Sequence, residues 1–165
     1  MTNHWVDLQN CKAILVEGSN VAENHPMAFK WIRKAQENGA KLIHVDPRYT
    51  RTSAGADIYA RLRPGTDAAF QNTMINHIIV NKLYDEDYVV THTNALYMSD
   101  EAFDFKDGVF SGYNEATHSY DTKAWGYQLD AKGYARFGRS HSDPHCVFSR
   151  LKTFVSRYTL EMGEQ

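Results

Sequence analysis

Apolar residues change rhythm several times along this chain, and each rhythm predicts an element. Ala13–Glu17, "AILVE", is a short apolar run that stops at Gly-Ser-Asn, the pattern of a buried parallel strand. Behind it Ala28, Trp31, Ile32 and Ala35 recur at helical spacing. Asn24 or His25 is placed to cap that helix, Pro26 suits its first turn and Gly39 its exit. "KLIHVD" (Lys41–Asp46) reads as a second strand. Strand, helix and strand within residues 13–46 form a βαβ crossover, so the two strands should run parallel. Ala56–Arg63 predicts a third short strand. Asp67–Lys82 predicts a helix with Phe70, Met74 and Ile78 on one face and Ile75 and Ile79 beside it. "DEDYVVTHT" (residues 85–93) adds a short helical segment.

After about residue 100 the rhythm breaks. Residues 100–143 carry many aromatics, among them Phe103, Phe105, Phe110, Tyr113, Trp125 and Phe137, punctuated by "DG", "SG" and "KG" turn signals. This predicts an irregular insertion with one or two hairpins, too long for a bare loop and so packed onto something. "DPHCVFSRLKTFVSRYT" then reads as a helix opened by Pro144, with Val147, Leu151, Phe154 and Val155 as its stripe. The expected fold class is α/β. A Rossmann-like open parallel sheet is flanked by helices, in one domain with a core over residues 1–99, the insertion over 100–143 and a C-terminal helix over 144–159.

Composition narrows the function classes. With 18 basic and 20 acidic residues the net charge is −2, which disfavours a nucleic-acid binder. No apolar run approaches the ~18 residues of a membrane span, and "MTNHWVDLQN" lacks the charged and apolar regions of a signal peptide. Cys11 and Cys146 form no CxxC pair and read as two free thiols, not a metal or iron–sulfur site.

The candidate chemistry sits behind the strands. In an open parallel sheet, ligands bind beyond the carboxyl ends of the strands. Three polar clusters fall there: "GSNVAENHP", "DPRYTRT" and "RPGTD". Gly18 lets the backbone approach a ligand, and the start of the following helix offers N–H groups to a phosphate. Asp46 ends the second strand, where nucleotide binders place an acid for ribose or base. Each cluster alone has a plainer reading: a turn, a strand exit, and a helix cap at Asp67 or Thr66. Three in succession read as a nucleotide site. Neither GxGxxG nor GxxxxGK[ST] is present, so an ordinary NAD-binding module and a P-loop NTPase are disfavoured.

The segments "MTNHWVDLQNCKAILVEGSNVAENHP", "AKLIHVDPRYTRTSAGADIYARLRPGTD", "DGVFSGYNEATHSYDTKAWGYQLD" and "DPHCVFSRLKTFVSRYT" resemble, in order, the catalytic α subunit of formate dehydrogenases of the exported, respiratory type. Those enzymes belong to the molybdopterin oxidoreductases. The resemblance implies one arm of a molybdopterin guanine dinucleotide held by three loops. Gly18, Ser19, Asn20 and Glu23 would lie near phosphates and ribose, Asp46, Pro47, Arg48 and Thr50 would line the nucleotide, and Gly65, Thr66 and Asp67 would lie near guanine. Arg48 suits phosphate, and a carboxylate suits the two donors on one edge of guanine.

The resemblance also implies what this stretch does not carry. The selenocysteine or cysteine that binds molybdenum or tungsten, the iron–sulfur cysteines and the second cofactor arm belong to other segments. The chain is therefore expected to be one piece of a larger subunit, with Met1 an internal methionine just after the selenocysteine position. It should have no catalytic residue and no metal ligand of its own, and the cofactor is expected in the parent enzyme, not of necessity in the isolated chain. Its expected partners are the rest of the catalytic subunit and the electron-transfer subunits, with self-association through exposed apolar surface. The parent would be periplasmic by resemblance. The alternative is a free-standing nucleotide-binding or interaction module derived from such an enzyme. Among the histidines, His25 beside the first loop reads equally as a cap or as a pterin-site neighbour. His44 inside a strand reads as structural, and His141 and His145 straddle Pro144, which argues against a shared helical face.

Overall fold

The computed structural model describes residues 3–106, 108–138, 140 and 143–163. The chain is mixed α/β and packs as two compact units, residues 1–68 and 69–165.

The first unit holds a parallel sheet of three strands in the order β1 (Ala13–Glu17), β2 (Lys41–Val45), β3 (Ile58–Ala60). The β1–β2 ladder pairs Ala13 with Lys41 through Glu17 with Val45, so the crossover produces the parallel pairing that the pattern predicts. Ile14, Val16 and Leu42 share one face of the pleat with His44. Ile32 and Ala35 of helix α2 (Pro26–Glu37) join those aliphatic residues in one core cluster with Ala40. Leu15 and Ile58, on the opposite face, are exposed. Gly39 leaves α2 in the left-handed region (φ +92°), the conformation expected of a glycine exit.

Two expectations need correction. The helix behind the first strand opens at Pro26, where the pattern places it, but it does not follow directly on the strand-end loop and has no side-chain cap. A single turn, α1 (Val21–Asn24), comes first, and His25 takes the N-cap position of α2. Proline has no N–H, and the Ala22 N–H is already given to Thr52 Oγ1 at 3.0 Å. The start of α2 is thus a poorer phosphate cradle than the sequence suggests. The third strand is also shorter than Ala56–Arg63. Asp57 replaces ladder bonds with its side chain: its carboxylate accepts from the Leu42 N–H (2.9 Å), Gln36 (2.8 Å) and Lys41 (3.0 Å). These bonds, the Leu42 N–H foremost, hold that carboxyl well below the usual range.

The second unit contains most of α4 (Asp67–Val80), then α5 (Glu86–His92), two antiparallel hairpins, and α6 (Val147–Val155) followed by a last turn, α7 (Leu160–Gly163). The hairpins are β4 (Phe105–Lys106) with β5 (Val109–Phe110), and β6 (Tyr113–Asn114) with β7 (Ser119–Tyr120). They realise the turn signals in the aromatic stretch. Isolated bridges at Met98–Cys146 and Ser99–Tyr127 tie the rest of that stretch together. The core gathers Ile79, Leu96, Met98, Cys146, Phe148 and Val155. On α4 the buried line runs through Ile79, with Ile75 packed against it, while Ile78 of the predicted face stands 39% exposed. Cys11 and Cys146 are both free thiols. The Cys146 thiol is buried and donates to the Ala95 carbonyl at 2.6 Å, so it serves packing.

Candidate functional site

The carboxyl ends of β1 and β2 open onto a cleft of about 510 Å³ in the first unit, lined by Asn20, Glu23, Arg48, Tyr49, Thr50, Arg51 and Ala54. Gly18 leaves β1 with a left-handed backbone (φ +63°), which an L side chain adopts at a cost, and its N–H bonds the Val45 carbonyl at 2.9 Å. The chain then turns through Ser19 and Asn20 to Glu23. Behind β2, Asp46 and Pro47 turn the chain outward to Arg48. Thr50 then caps the one-turn helix α3 (Arg51–Ala54).

Two guanidiniums and one carboxylate face this cleft. Glu23 is engaged on both oxygens, by Arg51 Nε at 3.2 Å and by the Asn20 side-chain amide. Among the described residues no hydrogen bond or ion pair holds the Arg48 guanidinium. The cleft therefore offers a net cationic wall with one uncommitted planar fork, the geometry that suits phosphate oxygens.

Of the residues that the sequence singled out, Asn20, Glu23, Arg48 and Thr50 meet in this cleft. Gly18, Ser19 and Pro47 belong to its supporting loops but do not line it. Asp46 is buried. Its carboxylate accepts the Arg48 N–H at 2.8 Å and its carbonyl accepts the Tyr59 hydroxyl at 2.8 Å, so it shapes the loop. Gly65, Thr66 and Asp67 do not line the cleft. Thr66 Oγ1 donates to the Arg63 carbonyl at 2.7 Å, and Asp67 is the first residue of α4.

Sequence reasoning missed Tyr49 and Arg51. Both stand in the quoted "DPRYTRT" run, and the three-residue spacing of Arg48 and Arg51 across a turn was the available signal. It also missed that Thr52 and Ser53 point inward. They are buried, and Thr52 Oγ1 donates to Asn20 Oδ1 at 3.2 Å. His25 is exposed and meets the Trp5 ring edge-on at 5.7 Å, a packing contact. His145 contacts Arg150 through Nδ1 at 3.2 Å, whereas His141 lies outside the described residues. Among the described residues no group of three His, Cys, Asp or Glu side chains is placed to hold a metal ion.

The second unit has a larger cavity, about 670 Å³, walled by Phe103, Phe105, Phe110, Trp125 and Phe154 with Arg150 and Arg157. Arg157 lies over the Phe105 and Phe154 rings at 4.5 and 4.3 Å, so its charge is already placed against aromatic faces. No residue singled out for nucleotide binding reaches this cavity.

Residues 1–133 match the family model for molybdopterin oxidoreductases. The chain belongs to that family. It is 50% identical over 161 residues, 98% of its length, to the formate dehydrogenase subunit alpha of Megalodesulfovibrio gigas. It is 47% identical over 98% of its length to the formate dehydrogenase 2 subunit alpha (cytochrome c-553) of Nitratidesulfovibrio vulgaris Hildenborough. It is 46% identical over 99% of its length to the nitrate-inducible formate dehydrogenase major subunit of Escherichia coli K12. In each case the chain spans 16% of the relative's length. The segment is homologous to part of a formate dehydrogenase catalytic subunit, and its family is one of molybdopterin enzymes. No helix among the described residues is long and apolar enough to cross a membrane.

Proposed function

We propose that this chain is the portion of a formate dehydrogenase catalytic subunit that holds one guanine dinucleotide arm of the molybdopterin cofactor. The uncommitted Arg48 guanidinium carries the proposal. It stands in a cationic cleft with Asn20, Thr50 and Arg51, behind the carboxyl ends of two parallel strands. That is where an open α/β sheet binds nucleotides. Arg48 and Thr50 would hold phosphate. Glu23 would take a ribose hydroxyl, exchanging part of its bond to Arg51 for it. Gly65, Thr66 and Asp67 remain the candidate guanine contacts, since a carboxylate accepts from both N1–H and N2–H₂.

When bound in the parent enzyme, the pterin carries the molybdenum or tungsten that takes two electrons from formate. The metal's protein ligand and the iron–sulfur relay are assigned to other segments of that subunit. The partners would be those segments and the electron-transfer subunits, in a periplasmic enzyme. The exposed apolar residues of the isolated chain would mediate self-association.

Calorimetry with GDP and ADP tests the reading. GDP should bind more tightly than ADP, because a carboxylate accepts from both guanine donors and meets an acceptor on the matching adenine edge. Arg48→Ala should weaken both nucleotides, whereas Asp67→Asn should weaken GDP selectively. A folded sample that binds neither nucleotide at millimolar concentration overturns it.

A further inference from the structure

The cavity of the second unit plays no part in the nucleotide reading. Its volume of about 670 Å³ lies in the range of natural ligand pockets. Its apolar wall is built from rings that brace one another. Phe105 packs against Phe110 at 4.7 Å and edge-on against Phe154 at 5.0 Å. Trp125 meets Phe110 edge-on at 5.6 Å, and its Nε1 donates to the Ser111 carbonyl at 2.9 Å. Rings paired in this way keep the wall formed before anything enters it.

The polar groups of the wall are unevenly matched. The Ser99 and Thr153 hydroxyls donate to the His145 and Ser149 carbonyls at 2.8 and 3.0 Å. Asp104 is exposed, and its Oδ1 takes the Phe105 N–H at 2.8 Å. Against this carboxylate stand two guanidiniums, Arg150 and Arg157. Among the described residues neither has a carboxylate within ion-pair distance. Arg157 is exposed, is spread over the Phe105 and Phe154 rings, and donates through Nε to the Phe154 carbonyl at 3.0 Å. Arg150 is half-buried on α6. Its guanidinium lies over the Phe103 ring at 5.3 Å, and its Nη2 donates to His145 Nδ1 at 3.2 Å. Its Nε is buried with no hydrogen-bond partner among the described residues. The Arg150 charge is thus met by a ring face and an imidazole, and by no anion.

We infer that this cavity seats an acidic side chain beside a large apolar one, carried by a segment from the remainder of the catalytic subunit, with Arg150 as the anchor of the carboxylate. The inference rests on the reading of this chain as one portion of such a subunit. The rings call for an apolar body. A purely apolar occupant would bury the Arg150 charge further without a counter-ion, which is costly. A basic one would meet like charge. The supply of such a segment follows from length: the chain spans 16% of the formate dehydrogenase subunit alpha of Megalodesulfovibrio gigas, so most of that polypeptide lies outside the matched stretch.

The test uses the ¹⁵N-labelled full chain and two capped dipeptides, acetyl-Phe-Glu-amide and acetyl-Phe-Gln-amide, which differ only in carboxylate against amide. The shift of the Trp125 indole N–H reads occupancy, because that ring is part of the wall. The Glu peptide should bind at millimolar concentration or below, and about tenfold more tightly than the Gln peptide, the order of one charge-assisted hydrogen bond. Arg150→Met keeps an apolar stem, removes the charge and should bring the two affinities together. Arg157→Met should leave most of the difference. Should Arg150→Met fail to fold, the two peptides on the unaltered chain still decide. Equal affinities there, no binding of the Glu peptide, or a difference that survives Arg150→Met overturns the inference. Binding of 4-phenylbutyrate without binding of the Glu peptide would make the cavity a site for free acids and overturn its assignment to a segment. The probes carry no nucleotide, so a chain that binds GDP but not the Glu peptide keeps the reading of the cleft and loses this one. The reverse result leaves the acidic occupant standing while the reading of the cleft fails.

Discussion

Asp57 stabilises the sheet through an acid that no motif would have singled out. It sits in "AGAD", one carboxylate in a loop, and only the fold brings Gln36, Lys41 and the Leu42 N–H to it. All three bonds favour the ionised form, so the folded state holds its pKa below that of the unfolded chain. The stabilisation is therefore fully present above the ordinary carboxylate value of about 3.9 and is lost as pH falls toward the depressed folded value. Urea midpoints of the unaltered chain should drop between pH 6 and pH 3. Asp57→Asn should be less stable at pH 6 and lose less on acidification. Equal losses in both proteins would show that other carboxylates set the acid limit.

Elements were legible wherever a hydrophobic period ran uninterrupted. β1 and β2 follow from short apolar runs and α2 from helical spacing, and the parallel pairing follows from the crossover between them. What escaped was set by single side chains acting across the sequence. The one-turn α1 is held by Thr52 from the neighbouring loop, and the short β3 ladder is replaced at its start by Asp57. The α4 stripe was misread because Ile75, Ile78 and Ile79 make the helix apolar on more than one side, and periodicity cannot then choose the face that packs. The cleft was half legible for the same reason. The loops were found by their place behind the strands, but which hydroxyl faces inward depends on Asn20 and His44.

The hairpins, by contrast, were visible as turn signals, and one of them can be tested directly. Gly112 has φ +85°, and a Cβ added there would lie 2.0 Å from the Asp121 carbonyl oxygen. Both the dihedral and the clash oppose any side chain, so Gly112→Ala should destabilise the second unit by about 2–3 kcal/mol. Trp125, whose Nε1 donates to the Ser111 carbonyl at 2.9 Å, is a local reporter of that loss. An unchanged denaturation midpoint in Trp fluorescence would show that the hairpin shifts at no cost.

At the scale of the whole molecule, apolar surface is the feature that a 165-residue chain alone does not resolve. Leu129 is 65% exposed and Tyr134 71%, near the bridge between Leu129 and Ala135. Leu15 and Ile58 are exposed on the parallel sheet, a kind of sheet that ordinarily has both faces covered. β1 and β3 also each leave one edge without a strand partner among the described residues, and unpaired edges invite association. In relatives that this chain spans by 16%, most of the polypeptide lies elsewhere and is available to cover such surface. The isolated chain has only other copies of itself. Two outcomes are expected of it. Supplied with formate and a redox dye, it should show no turnover, because the proposed reading puts the metal ligand and relay in other segments. In sedimentation velocity it should associate increasingly with concentration, and the double change Leu129→Ser with Tyr134→Ser should shift it toward monomer by removing two large exposed apolar groups. A chain that stays monomeric at every concentration would mean that polar neighbours suffice to keep this surface in water. An associating chain unaffected by the double change would place the contact on the open sheet instead, where Leu15→Ser and Ile58→Ser are the corresponding changes.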